Sequence, residues 1–111
     1  MTLTEFLEAR IAEDEEVARG AVDEQQGGHW HEPGDDMPMF GFSVALPLTF
    51  AEHAARHDPA RVLAECEAKR RIVASVERAL RLGTNGLGPS VLRLLALPYA
   101  DHADYDESWR P

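Results

Sequence analysis

The fold is decided by residues 58–83, which read DPARVLAECEAKRRIVASVERALRLG. Asp58 is a favoured N-cap residue, and Pro59 suits the first helical position because an N–H there would have no partner within the helix. Gly83 follows the last apolar residue and is typical of a helix end. The segment therefore predicts a helix that runs from Pro59 to about Leu82.

One face of this long helix is apolar. At about 100° per residue, the apolar stripe consists of Val62, Leu63, Cys66, Val73, Val76 and Leu80, with Ile72 beside it. Three charged residues, Lys69, Arg70 and Glu77, project into the same stripe. A stripe of this kind has to be covered by a second element.

Residues 3–22 predict the helix that covers it. Thr2 and Glu5 have the spacing of a capping box at the start of this helix. Its broad apolar face collects Leu3, Phe6, Leu7, Ile11, Val17, Ala18, Ala21 and Val22. We expect the two helices to pack antiparallel, each with its apolar face towards the other.

Residues 25–48 leave two structures open. Aromatic and β-branched side chains at 29–31 and 40–46 suit the strands of a small hairpin. Pro38 and Pro47 weaken any strand, so an irregular loop with buried aromatic side chains is the alternative.

The remaining segments predict short elements. Thr49 suits the N-cap of a short helix that extends to about Arg56, and residues 83–89 are rich in glycine and predict a flexible loop. Ser90 suits the N-cap of a last helix from Val91 to Leu97. That helix is apolar almost all round, so we expect it to be buried.

Residues 99–111 form an acidic tail in which Tyr99, Tyr105 and Trp109 are suited to pack onto the core. The whole pattern predicts one domain, residues 1–111, of the mainly α class. Its elements are a long antiparallel helix pair and a short buried C-terminal helix. An α+β fold is the alternative if the hairpin forms.

The charge is unevenly distributed along the 111 residues, whose formal net charge is −9. Residues 1–58 carry −10, residues 59–93 carry +4 and residues 94–111 carry −3. The net charge disfavours a generic nucleic-acid binder. No apolar run approaches the roughly 20 residues of a membrane span, so no membrane partner is expected. A lone cysteine and an N-terminus without an export signal predict a cytoplasmic protein.

Three stretches carry a resemblance to a known family. They are ARHDPARVL at 55–63, EAKRRI at 67–72 and LRLLALPYADH at 92–102. In these motifs the chain resembles a family of small proteins that occur in actinobacteria and their phages and that are known as a domain of unknown function. The resemblance implies no established activity. It favours a cytosolic setting and an association with phages or mobile elements.

Charged side chains on faces that should be apolar predict a polar network between the two long helices. Arg10 and Asp14 project into the apolar arc of the first helix, as Lys69 and Arg70 do on the second. A buried charge needs a partner, so we expect Asp14 to pair with Arg70 or Lys69. Such a network fixes the register of the helices or lines a polar pocket.

A histidine pair is the candidate metal site. His53 and His57 are four residues apart, a spacing that places both rings on one face of a helix. Zinc is the cofactor that this spacing suits, and a small metal-binding protein or metal-dependent hydrolase is the alternative function. No cofactor is expected otherwise, because no His-Glu-x-x-His, Gly-x-Ser-x-Gly or phosphate-loop pattern is present.

The leading hypothesis is a non-enzymatic binding or accessory protein that acts through protein–protein contacts. Its sharpest form is an acidic interaction face on the first helix, with exposed Glu8, Glu15 and Glu16, which attracts a basic partner. Homo-oligomerisation is a further hypothesis, because Val76, Leu80 and the last helix offer more apolar surface than one partner helix covers.

Overall fold

Four α-helices make up most of the described chain. In a computed structural model that describes residues 1–22, 27–30, 48–83 and 86–111, the helices are α1 (Leu3–Gly20), α2 (Leu48–Arg56), α3 (Pro59–Arg81) and α4 (Gly88–Ala96). Two short 3₁₀ turns, Leu97–Tyr99 and Glu107–Trp109, follow α4. The described residues form no strand, and the predicted mainly α class is confirmed. The predicted hairpin lies almost wholly outside the described residues.

A capping box begins α1, as the sequence predicts. The Thr2 hydroxyl accepts a hydrogen bond from the Glu5 N–H at 3.1 Å, and the Glu5 carboxylate accepts one from the Thr2 N–H at 2.9 Å. The hydrogen bond from the Thr2 backbone lowers the pKa of the Glu5 carboxyl. The first orphan N–H groups of the helix therefore find partners next to the chain terminus.

The buried face of α1 differs from the predicted one at Glu15, Val17 and Val22, and Val22, which follows the end of the helix at Gly20, is 41% exposed. Phe6, Leu7, Ile11 and Ala18 are buried as expected. Val17, predicted to lie on the apolar face, is 69% exposed, and Glu15 is buried in its place. The buried line follows positions 7, 11, 15 and 18, a regular helical stripe that includes a carboxylate.

Asp58 begins α3 in the predicted manner. Its carboxylate accepts a hydrogen bond from the Arg61 N–H at 2.9 Å, and its carbonyl accepts one from the Val62 N–H at 3.0 Å. The same carboxylate accepts a hydrogen bond from the Trp30 N–H at 3.2 Å. One buried side chain thus caps α3 and also binds residue 30.

The apolar stripe of α3 is buried most deeply in the middle of the helix. Cys66, Val73 and Val76 are buried, whereas Ile72 and Leu80 remain partly exposed. The helix ends at Arg81, and Gly83 has the left-handed φ of 80° that suits a residue just beyond a helix end.

The last helix begins earlier and is less buried than the sequence predicts. It starts at Gly88, so Ser90 lies inside it, and Leu87 occupies the N-cap position without a side-chain hydrogen bond. Leu92 and Ala96 are buried, but Leu94 is 57% exposed. The expectation of a fully buried helix is therefore wrong for one face of α4.

The chain divides into two compact units, and each contains one of the two tryptophans. The first unit comprises Met1–Glu13 and Cys66–Pro111, and the second comprises Asp14–Glu65. Within the second unit, the carbonyl of Gly28 accepts a hydrogen bond from the Ala60 N–H at 2.8 Å. That bond holds residues 27–30 against the start of α3.

Within the first unit, α1 and α3 run antiparallel. Thr4 donates a hydrogen bond from its hydroxyl to the Glu77 carboxylate. Further along α1, Glu8 and Ile11 line a small hollow with Arg70 and Val73, which come earlier in α3. Among the helices described, none is both long enough and apolar enough to cross a membrane.

Candidate functional site

An open apolar groove runs between the second half of α3 and the start of α4, within the first unit. It has a volume of about 440 Å³, and almost all of its accessible lining is apolar. Its lining residues are Arg71, Ile72, Ser75, Val76, Ala79, Leu87, Gly88 and Val91. Its volume lies within the range of roughly 300–1,000 Å³ that ligand sites have, and the groove is open to solvent along its length.

The groove owes its shape to a close approach between the two helices. A Cβ atom built on Gly88 would lie 2.9 Å from Cγ1 of Val76, closer than side chains tolerate. The backbone at the start of α4 therefore rests directly on α3. Leu87, the residue before the contact, is left on the rim.

Large apolar side chains meet solvent around this groove. In the lining, Leu87 is 79% exposed and Ile72 is 38% exposed; Leu94, which lies outside the lining, is 57% exposed. Leu94 lies two turns along α4 from Leu87, on the same side of the helix. A clustered apolar surface of this kind marks an interaction site more often than a scattered one does.

Arginines follow the α3 edge of the groove. Arg71 lies in the lining and forms an exposed ion pair with Glu67, with Nε 2.9 Å from the carboxylate. Arg78 lies about two turns further along the same side of α3. It is exposed, and it makes no ion pair with any described residue. One edge of the apolar floor therefore carries Arg71, which is paired with Glu67, and the side of α3 beyond it carries Arg78.

A second cluster is aromatic and holds the C-terminal segment against α1. The ring of Phe6 is fully buried, with ring centroids of Tyr99, His102, Tyr105 and Trp109 between 5.1 and 6.3 Å away. These are edge-on or tilted contacts, the arrangement that aromatic pairs favour. The residues predicted to pin the tail therefore do so, around one phenylalanine.

Charged residues at the end of the chain bind one another at the surface. The Ser108 N–H donates a hydrogen bond to Asp106 and lowers the pKa of that carboxyl. Arg110 hydrogen-bonds Glu107, which lowers the pKa of the Glu107 carboxyl and raises the pKa of the Arg110 guanidinium. These bonds support the last 3₁₀ turn, which carries Trp109.

The structure places Arg10 of the predicted polar network beside the aromatic cluster. Its guanidinium hydrogen-bonds the ring of His102, pairs with Glu13 at 3.0 Å and lies 5.6 Å from the centroid of Phe6. The Nε atom of Arg10 and the hydroxyl of Tyr105 are buried and have no hydrogen-bond partner in the described part of the chain.

Lys69 of the same network contacts an aromatic ring. Its ammonium lies 5.7 Å from the centroid of Tyr99, within the range of a cation–π interaction. The pairing of Asp14 with Arg70 or Lys69 stays a prediction.

The predicted acidic face loses one of its three members. Glu15 is only 9% exposed, and its carboxylate lies 3.4 Å from a guanidinium nitrogen of Arg19. The placement of Glu15 on an exposed face is therefore wrong, because this position belongs to the buried stripe of α1. Glu8 and Glu16 are exposed.

The predicted histidine pair comes together on α2 and its C-terminal turn. The rings of His53 and His57 have centroids 4.5 Å apart, and both side chains are exposed. Among the described residues, no group of three or more His, Cys, Asp or Glu side chains is arranged to hold a metal ion. Metal binding by His53 and His57 stays a prediction.

The groove itself was not singled out by residue in the sequence. The available signal was the apolar surplus on Val76, Leu80 and the last helix, which led to the hypothesis of self-assembly. Leu87 and Gly88 fall in a segment that predicts only a loop. The sequence therefore carries no pattern that predicts their place in the groove lining.

Fold and groove together define a small, mainly helical protein with an open apolar surface. The family model described as "Family of unknown function (DUF6221)" matches residues 1–111, and the chain belongs to this family. The predicted membership of a family of unknown function is thereby confirmed. No curated protein and no solved structure matches the chain.

Proposed function

We propose that this chain is a non-enzymatic binding protein that holds a peptide segment of another protein in the α3–α4 groove. The observation that carries the proposal is the open apolar groove with Leu87 on its rim and Ile72 at its floor. Full burial of an exposed large apolar side chain such as Leu87 contributes about 1.5–3 kcal/mol, part of which offsets the entropic cost of association.

The geometry favours a helical segment as the occupant. The α3 floor extends from Ile72 to Ala79, which is about 10 Å along the helix axis. An amphipathic helix presents apolar side chains at positions i, i+3, i+4 and i+7 over about the same length. In helix-in-groove binding, these apolar side chains pack against the apolar surface of the groove.

A selection from a random peptide library tests this function without assuming a partner. The immobilised full chain is used for selection, and the enriched peptides are measured against wild-type protein and the Leu87→Asp variant. We expect peptides with helically spaced apolar residues, and we expect Leu87→Asp to weaken their binding by about tenfold or more.

Two controls make the result specific. Leu87 is highly exposed and occupies an N-cap position, where aspartate is favoured, so the variant should keep its fold by circular dichroism. Val17→Asp changes another highly exposed apolar residue, 69% exposed, that lies outside the groove lining. The proposal would be contradicted if Leu87→Asp left the affinity of the selected peptides unchanged, or if Val17→Asp lowered that affinity by as much.

A further inference from the structure

We propose that the segment held in the α3–α4 groove is an acidic amphipathic helix, an inference that rests on the binding function proposed above. Apolar anchors of the helix fill the groove, and its carboxylates face the arginines along α3. The partner is thereby defined by two properties at once, helical apolar spacing and negative charge.

The charge of the groove's surroundings supports this choice. Arg71 lies in the groove lining, Arg78 lies about two turns further along the same side of α3, and the one acidic residue between them is Glu77. The Glu77 carboxylate accepts a hydrogen bond from Thr4 on α1. It is thus engaged away from the arginine edge.

The arginines on the groove edge are available to pair with the carboxylates of a partner. The Arg71 side chain is 79% exposed, and its pair with the exposed Glu67 is of the kind that contributes little in water. Arg78 makes no ion pair with any described residue. A carboxylate of a docked helix gains more from these groups once apolar contacts exclude water beside them.

A second copy of this chain is a poorer occupant. Two-fold pairing of the groove with itself would bring the edges of both copies, each with Arg71 and Arg78, into one interface. Facing rows of like charge oppose association. The positive edge therefore selects a partner of opposite charge.

Three fluorescein-labelled peptides of about 15 residues test the inference by fluorescence anisotropy. The first has leucines at helical spacing and glutamates elsewhere. The second has lysines in place of the glutamates, and the third is a scramble of the first. We expect the glutamate peptide to bind about tenfold more tightly than the lysine peptide, and the scramble to bind weakly.

Salt and charge reversal provide independent readouts. Raising NaCl from about 50 mM to about 500 mM should weaken the binding of the glutamate peptide and should not weaken the binding of the lysine peptide. The double variant Arg71→Glu/Arg78→Glu should reverse the preference between the two peptides. Arg81→Glu is the matched control, since Arg81 is also exposed and without an ion pair among the described residues but points away from Ala79.

The outcomes distinguish a failure of the acidic-partner inference from a failure of the proposed peptide-binding function. If both charged peptides bind equally and Leu87→Asp weakens both, the groove binds peptides and the acidic partner is overturned. If no peptide responds to Leu87→Asp, the binding function itself fails. If light scattering shows a wild-type dimer that Leu87→Asp converts to a monomer, the occupant is a second copy and the inference is overturned.

Discussion

Asp58 connects two parts of the chain through one carboxylate. One oxygen accepts the Arg61 N–H and so caps α3, while the other accepts the Trp30 N–H. Because the residue is buried, water cannot readily replace either bond. The start of the longest helix and the position of residue 30 therefore depend on the same side chain.

Replacing Asp58 tests this double role. We expect Asp58→Ala to lower the free energy of unfolding by about 2 kcal/mol, since the cap is lost and the Trp30 N–H is left unpaired. Asp58→Asn keeps one acceptor oxygen, so we expect it to lower the free energy of unfolding by about half as much. Urea unfolding monitored by circular dichroism measures both. An asparagine variant as unstable as the alanine variant would show that charge, and not hydrogen bonding, holds this junction.

The elements of the chain differ in how far the sequence predicts them. The ends of α3 were predictable because Asp58, Pro59 and Gly83 act locally, within a turn of the helix end. The start of α4 was not, because Leu87 occupies its N-cap without a side-chain hydrogen bond and so leaves no recognisable residue type. Ser90 was a better cap by composition but lies inside the helix.

The candidate site shows the same limit on a larger scale. Burial of Glu15 and exposure of Val17 depend on which tertiary neighbours cover each side of α1, and the apolar residues alone do not specify this. The groove likewise arises where Gly88 meets Val76, a contact between two consecutive helices that depends on how the connection between them folds. The sequence shows that α3 and α4 carry more apolar residues than one partner helix covers. It does not show where on the surface these residues lie together.

The C-terminal segment and α1 form one aromatic cluster, which gives a matched pair of substitutions. Phe6→Leu should lower the free energy of unfolding by about 2 kcal/mol, because the ring is fully buried among aromatic contacts. Phe50→Leu makes the same chemical change at a side chain that is 65% exposed, and we expect a change within about 0.5 kcal/mol. Urea denaturation measures both variants. Equal effects would mean that the cluster around Phe6 does not stabilise the fold.

At the scale of the whole molecule, acid should weaken the attachment of both chain termini. Glu5 near the N-terminus, and Asp106 and Glu107 near the C-terminus, have pKa values below their ordinary ones. A carboxyl whose pKa is lowered by folding contributes stability that is complete above its unfolded pKa and is lost as the pH falls through its folded pKa. The ordinary values are 4.5 for Glu and 3.8 for Asp, so the loss begins at about pH 5 and continues below it.

The emission of Trp109 reports this loss in a Trp30→Phe variant. We expect a change in fluorescence on acidification below about pH 5 and a flat response from there to neutral pH. Adding Asp106→Asn and Glu107→Gln removes the two titrating groups while asparagine keeps an acceptor for the Ser108 N–H. This variant should respond less steeply. A transition centred near neutral pH would point to groups other than these carboxylates.

Cys66 has a practical consequence for chemistry on this protein. It is the sole cysteine of the chain and is only 2% exposed, so modifying reagents have little access to its sulfur. A thiol introduced on the surface, for example by Leu87→Cys on the groove rim, therefore offers a single reactive position without removal of a native residue. Spin labels and photo-crosslinkers can thus be attached beside the groove while the α3 stripe is left as it is.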